Sequence, residues 1–180
     1  MLLVVDNGSI YTKNLTTFLS DKKTEFTIQK FDEINLSNIS EFNSFILSGR
    51  IKNNRIINVI NSKIIKHAIS EKKSLLGICY GAEILATTLG GTIKKSDEHV
   101  GGQETVVIEK ENKICHGEID VAESHNYEIS QLGSQLHSLA SSKSCKYEVI
   151  KHNELDIFGT QFHPEMSNDG QSVIQAFLSI

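Results

Sequence analysis

The 180-residue sequence holds one proline, three cysteines and no apolar run approaching the ~20 residues that a membrane-spanning helix needs. Its first residues, Met1-Leu2-Leu3-Val4-Val5-Asp6, carry no basic segment and no cleavage site, so they predict a strand rather than a secretory signal. Three widely spaced cysteines, an odd number, do not make a disulfide framework and fit a reducing, cytoplasmic setting. No Cys-x-x-Cys or His-Glu-x-x-His occurs, and His67, His99, His116, His137 and His152 match no metal-ligand spacing. A net charge of −4 gives no general reason to expect nucleic acid or an anionic membrane as partner. No composition break, linker, repeat or low-complexity segment interrupts the chain, which predicts one domain over residues 1–180. An apolar content of 39% and a charged content of 22% are ordinary for a soluble globular protein, and the length allows a sizeable core.

The first half alternates strand-like and helix-like runs. Residues 1–6 are nearly all apolar, as in a strand buried on both faces. Asp6-Asn7-Gly8-Ser9 reads as a turn and helix N-cap, followed at helical spacing by Ile10, Leu15, Phe18 and Leu19. Phe26, Ile28 and Phe31 mark a second strand, and residues 43–48 a third. A helix is predicted over 55–72, with Ile56, Val59, Ile60, Ile64, Ala68 and Ile69 on its inner side. This order argues an α/β fold: a three-layer open, mostly parallel sheet with helices on both faces. After Gly91 the runs 92–95, 104–109, 119–124, 135–140, 147–152 and 157–162 are short and separated by turn residues, as in antiparallel edge strands. A final helix over 170–180 brings Val173, Ile174, Phe177 and Leu178 back to the core.

The chain is organised around residues 75–91. An apolar run ending at Ile78 reads as a buried strand, residues 82–89 as a helix, and Gly90-Gly91 as its stop. Cys79 sits at the junction with Gly77 and Gly81 two residues to either side, the spacing of a nucleophile elbow with sulfur in place of oxygen. The helix N-terminus that follows favours an anion and so a thiolate. A small buried cysteine is the plain alternative. What weighs against it lies 84 residues beyond Cys79, in Gly159-Thr-Gln-Phe-His163-Pro164-Glu165. A thiol nucleophile needs a base and a group to orient that base. His163 and Glu165 are two apart and share a side in extended chain, and the sole proline between them stiffens the pair.

Gly-Ile-Cys-Tyr-Gly-Ala-Glu together with Gly-Thr-Gln-Phe-His-Pro-Glu resembles the class I (triad) glutamine amidotransferases, and the resemblance covers nearly the whole chain. It implies Cys79 as nucleophile, His163 as base and Glu165 as its orienting carboxylate, acting on L-glutamine without metal or organic cofactor. It also implies an oxyanion hole made by backbone N–H groups, one from Tyr80 and one from the Gly49–Arg50 loop. The family commonly has Ser-Gly-Gly-Pro in that loop. This chain has Ser48-Gly49-Arg50-Ile51, so Arg50 donates only if its φ need not be positive; the alternative for its side chain is a solvated arginine. Glu83 stands where the family commonly has a substrate-contacting glutamine. A carboxylate there suits a substrate α-ammonium, or else only favours the helix dipole. Ser124, His125 and Asn126 resemble a family loop beside the substrate pocket, with an exposed loop histidine as the alternative for His125. Cys115 and Cys145 read as half-buried and incidental.

Within the family, Val5-Asp6-Asn7-Gly8, Glu123-Ser124-His125 and Ile157-Phe158-Gly159 look most like the stand-alone glutaminase subunit of archaeal-type GMP synthase. That likeness implies that a separate ATP-dependent synthetase subunit, the GMP-forming one, accepts the ammonia. Another class I amidotransferase, a partner-independent γ-glutamyl amide hydrolase and a catalytically silent regulatory subunit stay open on the residues alone.

Overall fold

The computed structural model describes residues 1–180. One sheet of nine strands runs through the molecule in the order β2-β1-β3-β4-β9-β8-β7-β5-β6. Its first half comprises β1 (Leu2–Asp6), β2 (Phe26–Lys30), β3 (Ser44–Leu47), β4 (Ser74–Ile78) and β9 (Ile157–Thr160), all parallel. Its second half, β5 (Thr92–Ile108), β6 (Glu118–Gln131), β7 (Leu136–Ser141) and β8 (Val149–His152), is antiparallel. Helices α1 (Thr12–Asp21), α2 (Arg55–Ser70), α3 (Tyr80–Thr88) and α4 (Asn168–Phe177) complete an α/β architecture with mostly parallel strands and antiparallel edge strands. No helix is long and apolar enough to cross a membrane.

The central strands are apolar on both sides because both sides are covered. Leu2 and Val4 join one core cluster with Leu15, Phe18, Leu19, Val173, Ile174 and Phe177 of α1 and α4. Leu3 and Val5 join a second with Ile57, Ile64, Ile65 and Ala68 of α2 and with α3. Alternate residues of one strand thus feed opposite cores.

Several boundaries differ from the sequence expectation. The runs 92–95 and 104–109 belong to one strand, β5, whose register shifts between Lys95 and Val100. The 119–124 run likewise extends to Gln131, so the predicted Ser-His loop lies inside strand β6. Helix α1 starts only at Thr12. Asp6 accepts from the Gly8 N–H and the Thr12 hydroxyl, forming the turn, and Ile10 is left exposed. Helix α4 starts two residues early because the Ser167 hydroxyl accepts from the Gly170 N–H.

The largest correction is to α2, where Ile56 and Val59 face solvent while Ile57, Asn61, Ile64, Ile65 and Ala68 are buried. Apolar residues occur on two sides of this helix, and a polar residue selects the inner one. Asn61 is fully buried and exchanges two hydrogen bonds with the side chain of Asn7, at 2.7 and 3.1 Å. Asn7 also donates from its backbone N–H to the Ser48 hydroxyl and from its amide to the Ser48 carbonyl. This pair ties the end of β1, the loop after β3 and α2 into one unit.

Asn61→Ala is expected to strand the Asn7 amide in the interior, at a cost of roughly 1–3 kcal/mol for an unsatisfied buried group. Urea denaturation at constant m-value measures it, and an unchanged midpoint would show that the pair holds nothing.

Candidate active site

Strand β4 ends at Ile78 and α3 begins at Tyr80, two residues earlier than the sequence suggests, so Cys79 alone makes the turn. It does so at φ 51° and ψ −105°, one of three non-glycine residues with positive φ. Such a conformation costs ~1–3 kcal/mol and persists only where the surroundings over-determine it. Here the Cys79 N–H donates to the Thr160 carbonyl at 2.7 Å, and its carbonyl accepts from Ala82 and Glu83 at 2.9 and 3.0 Å. The flanking glycines are required by space. A Cβ on Gly77 would lie 2.4 Å from the Gly81 backbone, and one on Gly81 would lie 2.4 Å from the Leu47 carbonyl oxygen.

The second motif follows β9, which pairs in parallel with β4 so that Ile78 stands opposite Thr160. Residues 79 and 161–163 therefore leave the sheet side by side. His163 and Glu165 are both 3% exposed, with Nδ1 2.9 Å from Oε1. The pairing does not come from extended chain as expected. His163 is extended, but Pro164–Met166 forms a 3-10 turn that swings Glu165 back to the ring. The imidazole is further fixed by the Tyr11 ring, edge-on at 4.6 Å, and by the Gly49 backbone, where a Cβ would lie 3.0 Å from Cε1. The His163 N–H donates to the Ala122 carbonyl at 2.9 Å, pinning β6 to the motif.

Cys79, Tyr80, Glu83, Arg50, Ser124, His125 and Asn126 all line one cleft of about 130 Å³. Pockets for drug-sized ligands measure ~300–1,000 Å³, so this smaller cleft suits a molecule of amino-acid size. His163, Glu165 and Gly49 are not among its lining residues; they stand beside it. Neither Gly49 nor Arg50 has positive φ, so the condition for a donating Arg50 N–H is met. The Arg50 side chain is half-buried and held in place rather than free in solvent. Its guanidinium carbon lies 4.0 Å from the Tyr80 ring centroid, and Nη1 donates to Asn53 and, at 3.2 Å, to Asn58, which also accepts from the Tyr80 hydroxyl at 2.9 Å. His125 is buried rather than exposed, with Nδ1 2.9 Å from the Tyr127 carbonyl and Nε2 3.2 Å from Glu123.

The electrostatics reverse one expectation. Burial pushes the Cys79 thiol well above its ordinary value, Glu83, Glu165 and Glu123 add to the rise, and the Tyr80 backbone N–H opposes it. The helix terminus does not outweigh desolvation. Burial also raises Glu83, against the pull of Arg50 and of a hydrogen bond from Gln161. Cys115 and Cys145 are buried, not half-buried, and burial pushes Cys115 up to about 11.

Three residues here carried no clear signal in the sequence: Tyr11, Gln161 and Glu123. Gln161 lies inside the second motif and Glu123 inside the Ser-His stretch, so each was visible only as a neighbour. Tyr11 had no mark at all.

The sequence pattern of the family described as "Glutamine amidotransferase class-I" matches residues 3–179. The chain belongs to the class-I glutamine amidotransferases. It is 30% identical over 189 residues to a glutamine-hydrolyzing GMP synthase subunit of Pyrococcus furiosus, covering 100% of this chain and 98% of that one. A 110-residue segment is 38% identical to the corresponding subunit of Sulfolobus acidocaldarius, 58% of each chain. Among solved structures, a candidate GMP synthase subunit of Thermoplasma acidophilum superposes with a TM-score of 0.88 at 28% identity, over 99% of this chain and 92% of that one. A glutamine amidotransferase of Thermotoga maritima shares the fold at 17% identity and a TM-score of 0.79.

Because its thiol is protonated near neutrality, this amidotransferase is expected to be alkylated at Cys79 at a rate that climbs with pH through pH 9. Iodoacetamide kinetics read by peptide mass test this. A plateau below pH 8 would mean a preformed thiolate and overturn the assignment of burial as the dominant effect.

Proposed function

We propose that this protein hydrolyses L-glutamine to glutamate and ammonia through Cys79, His163 and Glu165, and delivers the ammonia to a separate ATP-dependent synthetase subunit that makes GMP from XMP. The observation that carries the chemistry is the strained Cys79 elbow, side by side with a hydrogen-bonded His163–Glu165 pair. The choice of synthetase rests on relatives named as GMP synthase subunits, which align over 97–98% of their own length. It is supported by a GMP synthase of Wigglesworthia glossinidia brevipalpis, of which this chain covers 36%.

The mechanism follows from a thiol that is neutral before substrate arrives. Glu165 holds the Nδ1 side of His163, leaving Nε2 to accept the Cys79 proton as sulfur attacks the substrate's side-chain amide carbon. Negative charge develops on the amide oxygen, facing the N–H groups of Tyr80 and Arg50. His163 returns the proton to the departing nitrogen, ammonia leaves, and a γ-glutamyl thioester remains. Water then attacks that thioester with His163 again as base; glutamate departs and the thiol is restored. Glu83 faces the substrate α-ammonium, and the backbone of Ser124–Asn126 forms the opposite wall. No step uses a metal or organic cofactor, and the reactive thiol suits the cytoplasm.

One observation favours a second reading. A thiol raised by burial and by three carboxylates fits a subunit that turns over poorly alone. The Arg50 stack on Tyr80 bears on this, since it fixes the loop that supplies the second oxyanion donor. A missing donor costs ~10²–10³ in kcat.

Three measurements separate these readings. Glu165→Gln is expected to lower kcat by ~10²–10⁴, as loss of a triad orienter does. Glutaminase turnover should rise about tenfold or more when the GMP-forming subunit, loaded with ATP and XMP, is added, within the range of one oxyanion donor. Arg50→Gly should raise the basal rate and shrink that stimulation. Equal and ordinary rates with and without the partner would reject the choice of synthetase. A dead chain in both conditions would mean a silent subunit.

A further inference from the structure

Behind the cleft lies a set of buried polar groups that the reaction does not use. Glu148 precedes β8 and is 0% exposed; Glu123 of β6 is 4% exposed. The Ser142 hydroxyl donates to Glu148 Oε1 at 2.6 Å, and the Glu148 carboxyl lies within hydrogen-bonding reach of Glu123. Counted as two anions, the pair leaves Glu148 Oε2 and Glu123 Oε1 without a donor, and Glu123 Oε2 with only His125 Nε2 to face, at 3.2 Å. Two bare carboxylates cannot share a dry site, because each desolvates and repels the other. A single proton on Glu148 Oε2 removes the conflict, turning repulsion into a donor–acceptor contact.

The chain of contacts continues to the cleft. Glu123 Oε2 lies 3.2 Å from His125 Nε2, His125 Nδ1 lies 2.9 Å from the Tyr127 carbonyl, and that carbonyl also accepts from Gln161 at 3.3 Å. Gln161 also lies close enough to Glu83 to ease the rise that burial causes there, and the Glu83 side chain lines the cleft. The backbone runs parallel to this path: the Gln161 N–H donates to the Glu148 carbonyl, and the His163 N–H to the carbonyl of Ala122, next to Glu123. Ser142, Glu148, Glu123, His125, Gln161 and Glu83 thus form one line from the rear of the sheet to the substrate side.

We propose that Glu148 and Glu123 share one proton, and that this pair is the positioning device that fixes His125, Gln161 and Glu83 for glutamine. The pocket half of the proposal rests on the functional reading above. Burial and the Glu123 charge raise Glu148 to about 9, opposed by Ser142, so the proton is held at neutral pH. The titratable groups facing Glu148 are Glu123 of β6, Glu104 of β5 and the Cys145 thiol. Only Glu123 is placed to accept. A group whose folded value is raised favours the folded state when protonated, so stability from this site declines as pH climbs from the usual carboxyl range toward 9.

Glu148→Gln keeps a donor toward Glu123 but cannot titrate; Glu148→Ala removes the donor. Infrared spectra at pH 7 should show a protonated-carboxyl band that Glu148→Gln abolishes. In steady-state assays, Glu148→Gln should keep KM for glutamine within about threefold of wild type, while Glu148→Ala raises it about tenfold or more and leaves kcat within about threefold. Thermal melts from pH 5 to 9 should decline less with pH in Glu148→Gln than in wild type. Absence of the carboxyl band overturns the shared proton, whether or not Glu148→Ala folds. An unchanged KM in a folded Glu148→Ala overturns the positioning role. Wild-type protein that never hydrolyses glutamine, even with its synthetase, overturns the functional reading and the pocket half with it, while the carboxyl band still decides the proton.

Discussion

Everything at this site depends on how closely the first turn of α3 lies on the strand ends. A Cβ on Gly81 would be 2.4 Å from the Leu47 carbonyl of β3, and one on Gly159 of β9 would be 2.8 Å from the Ala82 Cβ. The helix can descend that far only because glycine stands at each crossing. The descent leaves one residue to turn from strand to helix, and that residue is forced to φ 51°. The strain at Cys79 is thus a consequence of packing in the layer beneath it. It also fixes where the thiol points relative to the loop after β3, since β3 is what Gly81 rests on.

The same close packing explains why the thiol is not a thiolate. A helix terminus stabilises an adjacent anion by ~0.3–1 kcal/mol in exposed settings. Full burial disfavours a charge by far more, shifting a pKa by up to ~3–5 in the strongest cases. Glu83, Glu165 and Glu123 add in the same direction. The elbow therefore supplies geometry, and in the proposed mechanism proton removal falls to His163. That division fits a site where Glu165, Tyr11 and Gly49 together over-determine the imidazole.

How much of this was legible follows from the kind of signal each part leaves. Gly77, Cys79 and Gly81 carry their own spacing, as do His163, Pro164 and Glu165, so the elbow and the pair could be read directly. The parallel half of the sheet was readable because strands buried on both faces have few alternatives. Helix α2 misled because apolar residues lie on two of its sides, and the deciding residue, Asn61, is polar with a partner 54 positions away. Strand β6 was cut short because Glu123 and His125 point inward on it where apolar residues are usual, and β5 because the stretch between its two apolar runs is polar or glycine-rich and largely exposed. Tyr11, Gln161 and Glu148 act through contacts that only the folded chain creates.

Those inward-facing polar residues share a physical logic with the elbow. A buried carboxyl pair and a positive-φ cysteine both oppose folding locally, and neither is needed to build the sheet. Two apolar clusters of 21 and 20 buried residues flank the central strands and provide the stability that tolerates such groups. The costs are confined to the C-terminal ends of β4 and β9 and the adjoining face of β6, where the parallel and antiparallel halves meet. At that junction β9 pairs in parallel with β4 on one side and antiparallel with β8 on the other, where the Gln161 N–H extends the ladder to the Glu148 carbonyl, and two residues on the His163 N–H reaches Ala122 of β6. The bridge from Ala122 to His163 ties β6 to the second motif there, and the cleft wall, His163 and Cys79 meet at one edge.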